Sequence, residues 1–305
     1  MWSNSYKKNT PSVMDRTGDY YRTTLAYDAY RDYLRNKQEV EGDKPTAMGT
    51  PCRASEANGC SRAIALRILG AEESDPPDDQ TLIAFWTGQN IHELVQEGMV
   101  ASYNMQTEVA VSLESQGYPI SGHVDGVYTV DGSTFVFELK TKKVFPMKLA
   151  RSGQDPDDGV TQAAMYAMAL DADYIHICYI SKDNSEKPRA ANAVVAGETV
   201  EWVYRMDEPF PGSPAGLTPR EIATAEAQRM KDIALTTYSQ ELPQREIPGY
   251  GIVYDVPEPG TPLGRNGSGH WRCHYCNYWG LCDTLPYEQT PLENILIPLK
   301  GQHER

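Results

Sequence analysis

The apolar positions of the chain fall into two rhythms. From Gln106 to Leu113, from Ile120 to Val130 and from Thr134 to Thr141 apolar and polar residues alternate, the period of a half-buried strand. Asp131-Gly132 sits between the last two runs and is a tight-turn pair, so 120–141 reads as a β-hairpin. Tyr174 to Ile180 is an apolar run that reads as a buried strand, closed by Ser181-Lys182-Asp183. Helical periodicity predicts helices over Asp19–Asn36, Cys60–Gly70, Phe85–Tyr103, Val160–Leu170 and Thr218–Thr236. The last has a start signal in Thr218, Pro219 and Glu221, and Gly70 is a helix stop. Residues 37–51 read as a polar linker, Glu72–Gln80 as an acidic proline-containing loop, and Pro243–Gly269 as irregular. Ala191–Val195 and Thr199–Tyr204 read as an antiparallel pair around Gly197.

Charge placement inside the hairpin changes the picture. Phe135, Phe137 and Leu139 alternate with Val136, Glu138 and Lys140, so Glu138 and Lys140 share a face while the aromatic residues enter a core. A carboxylate and an ammonium side by side near a sheet centre suit a divalent metal. Asp125 and Glu138 would be hard oxygen ligands for Mg²⁺ or Mn²⁺, and Lys140 would hold the attacking water or the charge on a phosphate. The plainer reading is an exposed Glu–Lys pair of little energetic worth. His123 shares the face of Asp125 and is a further ligand, a phosphate contact or a structural histidine. Lys142, Lys143 and Lys148 follow, as a phosphate path or a solvated basic rim. The tyrosines of 19–36 are either packing residues or a stacking surface for the bases of a single strand.

Composition narrows the class. The 305 residues are 40% hydrophobic and 23% charged, with net charge −14, ordinary for a globular chain and contrary to nucleic-acid binding through overall charge. A local basic groove and a bound cation can override that sign. The first ten residues contain no apolar core of a secretion signal, and the longest apolar run, Ala163–Leu170, is too short for a membrane span. The expectation is a cytoplasmic protein, in which the clustered ones among six cysteines serve metal or redox roles rather than a disulfide framework. Cys273-x-x-Cys276-x-x-x-x-x-Cys282 supplies three soft ligands, so a soft metal is implied. Zinc would take Cys60, His270 or His274 as its fourth ligand, and Cys178 falls in the buried strand as a core thiol.

Asp125…Glu138-Leu139-Lys140 resembles the motif of the PD-(D/E)XK nucleases. Gly88-Gln89-Asn90-Ile91-His92 resembles the family's upstream Gly-x-x-x-His, and Gln162-Ala163-Ala164-Met165-Tyr166 its downstream Gln-x-x-x-Tyr. Order and spacing are those of the RecB-type branch, and the cysteines are similar to those of CRISPR-associated iron–sulphur exonucleases and their phage counterparts. The resemblance implies an α/β, restriction-endonuclease-like core with a mixed central sheet flanked by helices. It implies Mg²⁺ or Mn²⁺ on His92, Asp125, Glu138 and the carbonyl of Leu139, with Lys140 polarising water and Gln162 and Tyr166 orienting the site. It also implies a structural [4Fe–4S] cluster on Cys60, Cys273, Cys276 and Cys282, with Cys52 as the alternative to Cys60. Such a cluster would close a loop of over two hundred residues. The expected organisation is a helical extension over 1–51, a nuclease core over 52–285 and a tail over 286–305. The expected activity is that of a metal-dependent DNA exonuclease on single strands or ends, working with replication, recombination or CRISPR proteins. The alternative is a non-catalytic nucleic-acid or partner-binding module with structural zinc or iron–sulphur.

Overall fold

The computed structural model describes residues 15–17, 20–22, 25–41, 51–153, 157–187, 192–245, 248–249, 252–253, 273 and 275–300. In chain order the elements are β1 (Asp15–Thr17), β2 (Tyr20–Arg22), α1 (Leu25–Glu41), β3 (Cys52–Arg53), α2 (Ser61–Ile68), α3 (Asp79–Tyr103), β4 (Gln106–Ser112), β5 (Ile120–Val130) and β6 (Ser133–Lys142). There follow α4 (Val144–Arg151), α5 (Asp157–Leu170), β7 (Tyr174–Ser181), β8 (Thr199–Arg205), α6 (Pro219–Tyr238), β9 (Glu241–Leu242), β10 (Pro248–Gly249), β11 (Ile252–Val253), α7 (Trp279–Thr284) and β12 (Thr290–Pro291). Two compact units emerge: residues 1–44 with 77–87, and residues 45–76 with 88–305.

The smaller unit contains the antiparallel pair β1–β2 and α1. The helix expected over Asp19–Asn36 begins at Leu25 instead and runs on to Glu41. Tyr20 and Tyr21 fall in a strand, which aromatic residues favour, and Lys37-Gln38-Glu39 are good helix formers that carry α1 into the expected linker. Leu34 is buried while Tyr30 and Tyr33 are exposed, and Arg35 grips Asp79 at 2.7 Å.

The larger unit is built on a sheet of order β3-β5-β6-β7-β8, with β4 also pairing β5. The pairs β4–β5, β5–β6 and β7–β8 are antiparallel, whereas β3–β5 and β6–β7 are parallel, so the sheet is mixed. The hairpin turns as expected at Asp131 and Gly132, both with positive φ (49° and 82°), which this turn requires and glycine tolerates. Helices cover both faces. Val136, Ile175 and Ile177 pack with Ala163, Met165 and Tyr166 of α5 and with Met230 of α6. Phe137, Leu139 and Cys178 pack with Ile91, Val95 and Met99 of α3. A continuous apolar β7 follows from this double cover.

Three local expectations give way. Helix α3 starts at Asp79 rather than Phe85, because Asp78 accepts from the Thr81 N–H at 2.8 Å and caps the turn after the prolines. Residues 192–195 form no strand and 191 lies outside the described residues; β8 pairs with β7 instead. Helix α4 follows β6 directly, where only a basic segment was expected. The segment 286–300 packs on α2: Leu292, Ile295 and Ile297 join Ile64 and Leu66, and Lys300 N–H donates to Gly70 O at 2.9 Å. Pro243–Gly269 lies largely outside the described residues.

Candidate active site

Asp125 marks a break in the sheet. The pairing of β5 with β6 runs from Gly126 to Val130 and stops there, and the Asp125 carboxylate takes over, accepting from the Leu139 N–H at 2.7 Å. Facing alternation also changes: Val124 belongs to the α5 side, while Gly126 packs against Met105 on the α3 side. Opposite, Glu108 holds a left-handed φ of 52° inside β4. Such a backbone in a residue other than glycine costs about 1 kcal/mol or more and is commonest at functional sites.

Six of the sequence-derived residues, Asp125 among them, converge here. Lys140 Nζ lies 2.7 Å from Glu138 Oε1 and donates to Gln162 Oε1 at 2.8 Å. Gln162 Nε2 donates to the Tyr166 hydroxyl at 3.1 Å. Those four side chains form one chain across β6 and α5. The Tyr166 ring fits only because residue 122 is glycine: a Cβ there would stand 2.8 Å from the ring. His92 Nδ1 comes within 3.5 Å of Asp125 Oδ1, so α3 delivers its imidazole to the opened strand. His123 is exposed. Gln96, one helical turn beyond His92, donates to the Asp125 carbonyl and to Glu108 Oε1, each at 2.9 Å. Sequence reading missed Gln96 and Glu108; the four-residue spacing from His92 is the one signal for Gln96, and nothing marks Glu108.

Glu138 is the electrostatic centre. It is 2% exposed, and its Oε2 is buried without a hydrogen-bond partner. Burial pushes its carboxyl up to about 7; Lys140 pulls it down and Asp125 pushes it further up. Burial, then Glu138, also raises the Tyr166 hydroxyl, keeping it neutral. Among the described residues no three His, Cys, Asp or Glu side chains are already placed around a common metal position. The donor set nonetheless suits a hard cation: two carboxylates, an imidazole, and an enclosed carboxylate oxygen with nothing to bind.

Glu138 yields a stability prediction. Folded, it keeps its proton to about 7; unfolded, it releases it near 4.5. Between those values the folded chain binds more protons, so its stabilising share, complete below 4.5, is lost as pH rises through 7. Urea unfolding in EDTA should show the wild type losing on the order of 1–3 kcal/mol from pH 5 to pH 8, with Glu138→Gln lacking most of that slope. Parallel pH profiles for both proteins would refute the assignment.

Among the described residues the cysteines form no placed metal site of three or more ligands. Burial, reinforced by Cys60 and Cys282, pushes the Cys273 thiol up to about 11. Burial pushes Cys276 up to about 12, and Cys60, Cys282 and Cys273 add to it. Cys282 is raised by burial first and also feels Cys60. Cys273, Cys276 and Cys282 thus each feel Cys60, the N-cap residue of α2. Cys52 is fully buried with its sulphur on Met230 O at 3.5 Å, and Cys178 is a core thiol on β7 as expected. His270 and His274 lie outside the described residues.

No helix among the described residues is long and apolar enough to cross a membrane. No curated protein matches the chain. A solved structure titled "Crystal structure of SSO0001" is 13% identical, with TM-score 0.45, covering 85% of this chain and 96% of its own. Another, "Crystal Structure of LHK-Exo in complex with dAMP", is 9% identical, with TM-score 0.35, covering 62% and 88%. The sequence model of the PD-(D/E)XK nuclease superfamily matches residues 89–283. That match takes in His92, the opened strand at Asp125, the Glu138–Lys140 pair and the Gln162–Tyr166 helix, and with more than half of its length covered the chain belongs to the PD-(D/E)XK nuclease superfamily.

Proposed function

We propose that the chain is a metal-dependent deoxyribonuclease, an exonuclease acting on single strands or DNA ends. The observation that carries this reading is the buried Glu138 oxygen without a partner, set beside Lys140 and in the field of Asp125 and His92. Asp125, Glu138, His92 and the Leu139 carbonyl would hold Mg²⁺ or Mn²⁺, which when bound acidifies a water and offsets phosphate charge. Lys140, fixed between Glu138 and Gln162, orients that water and faces the developing charge on the phosphate. Gln162 is in turn fixed by the Tyr166 hydroxyl, so the ammonium has one low-energy position.

The test is digestion of 5′- and 3′-labelled single and double strands with Mn²⁺ or Mg²⁺. Metal-dependent release of end nucleotides supports the reading, and the labelled end released first gives the polarity. No cleavage with either metal returns the chain to the non-catalytic binding class.

We further propose that Cys60, Cys273, Cys276 and Cys282 hold a structural [4Fe–4S] cluster. Burial and the neighbouring Cys60 raise the thiols of Cys273, Cys276 and Cys282, which are therefore unfavourable to ionise until a soft cation offsets the charge. Anaerobically purified protein should be brown and carry iron and acid-labile sulphide. Colourless protein with one zinc per chain would replace the cluster by zinc and leave the nuclease reading intact.

A further inference from the structure

Helix α4, which periodicity did not reveal, turns the basic segment after Lys140 into a shaped surface. Lys140 and Lys142 lie two apart on β6 and share its face. Lys142 Nζ sits 4.3 Å over the Tyr179 ring. Lys143 caps α4, where the positive end of the helix adds to its field. Lys182 is tied to the same corner, its N–H donating to Lys142 O at 3.0 Å. Burial, and after it the neighbouring Lys143, hold the Lys182 ammonium below its usual range, with Asp183 opposing them. Of the basic residues on α4, Arg151 is consumed by Glu198 and the carbonyls of Asn192 and Ala193. Lys143 and Lys148 are exposed and have no carboxylate partner among the described residues. That is notable in a chain with 42 acidic residues against 28 basic ones. Phe145 lies between them, 69% exposed, three residues from Lys148 and so on the same helical face. A phenylalanine so placed gains nothing from the fold.

We propose that Lys142, Lys143, Lys148 and Lys182, with Phe145, form a ridge that holds a single-stranded polynucleotide beside Lys140, its phosphates on the lysines and one base stacked on Phe145. Crowded ammoniums favour a ligand with several linked negative charges. An exposed aromatic ring among them favours one that also presents a flat π-face, which an acidic peptide or free phosphate lacks. A base is available for stacking only where it is unpaired, so the ridge selects single strands over duplex. The proposal rests on the nuclease reading for its direction, since the strand is led towards Glu138 and Lys140.

The experiment measures binding and hydrolysis separately in the full chain. Binding of a labelled oligothymidylate, and of a duplex of equal length, is followed by anisotropy in EDTA. Phe145→Ala is expected to weaken single-strand binding about 5- to 100-fold, the loss of one stacked base, while duplex binding stays within about twofold. Lys143→Ala with Lys148→Ala should flatten the slope of log Kd against log salt by about 1.4, two phosphate contacts. Manganese-dependent hydrolysis of bis(p-nitrophenyl) phosphate should be unchanged in these variants. Unaltered single-strand affinity in Phe145→Ala overturns the ridge, as does equal competition by poly-glutamate of matched charge. Wild type that binds the oligonucleotide as expected but hydrolyses neither reporter nor DNA supports the ridge and strikes the nuclease reading alone.

Discussion

Lys140→Ala is expected to slow metal-dependent phosphodiester hydrolysis by about 10²- to 10³-fold, the range for removing one preorganised charged donor. Two losses combine. The ammonium that faces the phosphate disappears, and Glu138 loses the partner of its Oε1, held at 2.7 Å. The Glu138 carboxyl already stands at about 7 with Lys140 pulling it down, so without Lys140 it titrates higher still. At neutral pH it would then be protonated and a poor ligand. The variant's acid limb in a pH–rate profile should therefore move to higher pH, and part of the lost rate should return in alkaline buffer. Gln162→Ala, which removes a hydrogen bond of Lys140 but no charge, should cost less and leave the limb near its wild-type position. A Lys140→Ala enzyme within about tenfold of wild type across the pH range would contradict the electrostatic role given to this side chain. Retention of the wild-type unfolding midpoint in EDTA separates a chemical loss from a folding loss.

The fold and the site were unequally legible in the sequence, for physical reasons. The hairpin was plain because Asp131-Gly132 and the alternation around it are local signals. The buried strand β7 was plain because both its faces are covered, which leaves an apolar run. Helix α4 was not, since eight residues carrying Phe145, Lys148 and Pro146 have little periodicity to display. The start of α3 was missed because a side-chain cap at Asp78 outweighed the prolines before it. Within the site, strand alternation marked Glu138 and Lys140 and the family resemblance marked Gln162 and Tyr166, and the four side chains form one connected chain. The break in β5 at Asp125 could not be read, because a carboxylate replacing a ladder partner is a tertiary event. Gln96 and Glu108 were hidden for the same reason: the bond between them joins α3 to a strained position in β4.

Arg62→Met is expected to destabilise the folded chain by roughly 3–5 kcal/mol, the largest effect foreseen for any substitution outside the site. Arg62 is fully buried, a rare place for a guanidinium. Its Nε donates to Pro243 O at 3.0 Å, Nη1 to Pro286 O, and Nη2 to Tyr287 O and Glu288 O at 3.0 and 3.1 Å. One side chain on α2 thus satisfies backbone carbonyls from two segments about two hundred residues away in sequence. Methionine fills similar volume but leaves the buried Pro243 carbonyl and the Pro286 carbonyl without this donor, while the Tyr287 and Glu288 carbonyls keep the Arg245 N–H and the Thr290 hydroxyl. Lysine restores the charge without the planar fork and should recover little. Arg62 also stands beside the Cys282 sulphur, two residues after Cys60, so the same variant should loosen the thiol set. Urea unfolding reports the stability, and the rate of thiol reaction in the native protein reports the local release. If Arg62→Met keeps the wild-type midpoint while its cysteines react no faster, the carbonyls find other partners and Arg62 is no clasp. If the midpoint falls as expected, the segments around Pro243 and Pro286 are held to α2 by these hydrogen bonds as well as by apolar burial, and the thiols of Cys60 and Cys282 inherit their alignment from that clasp.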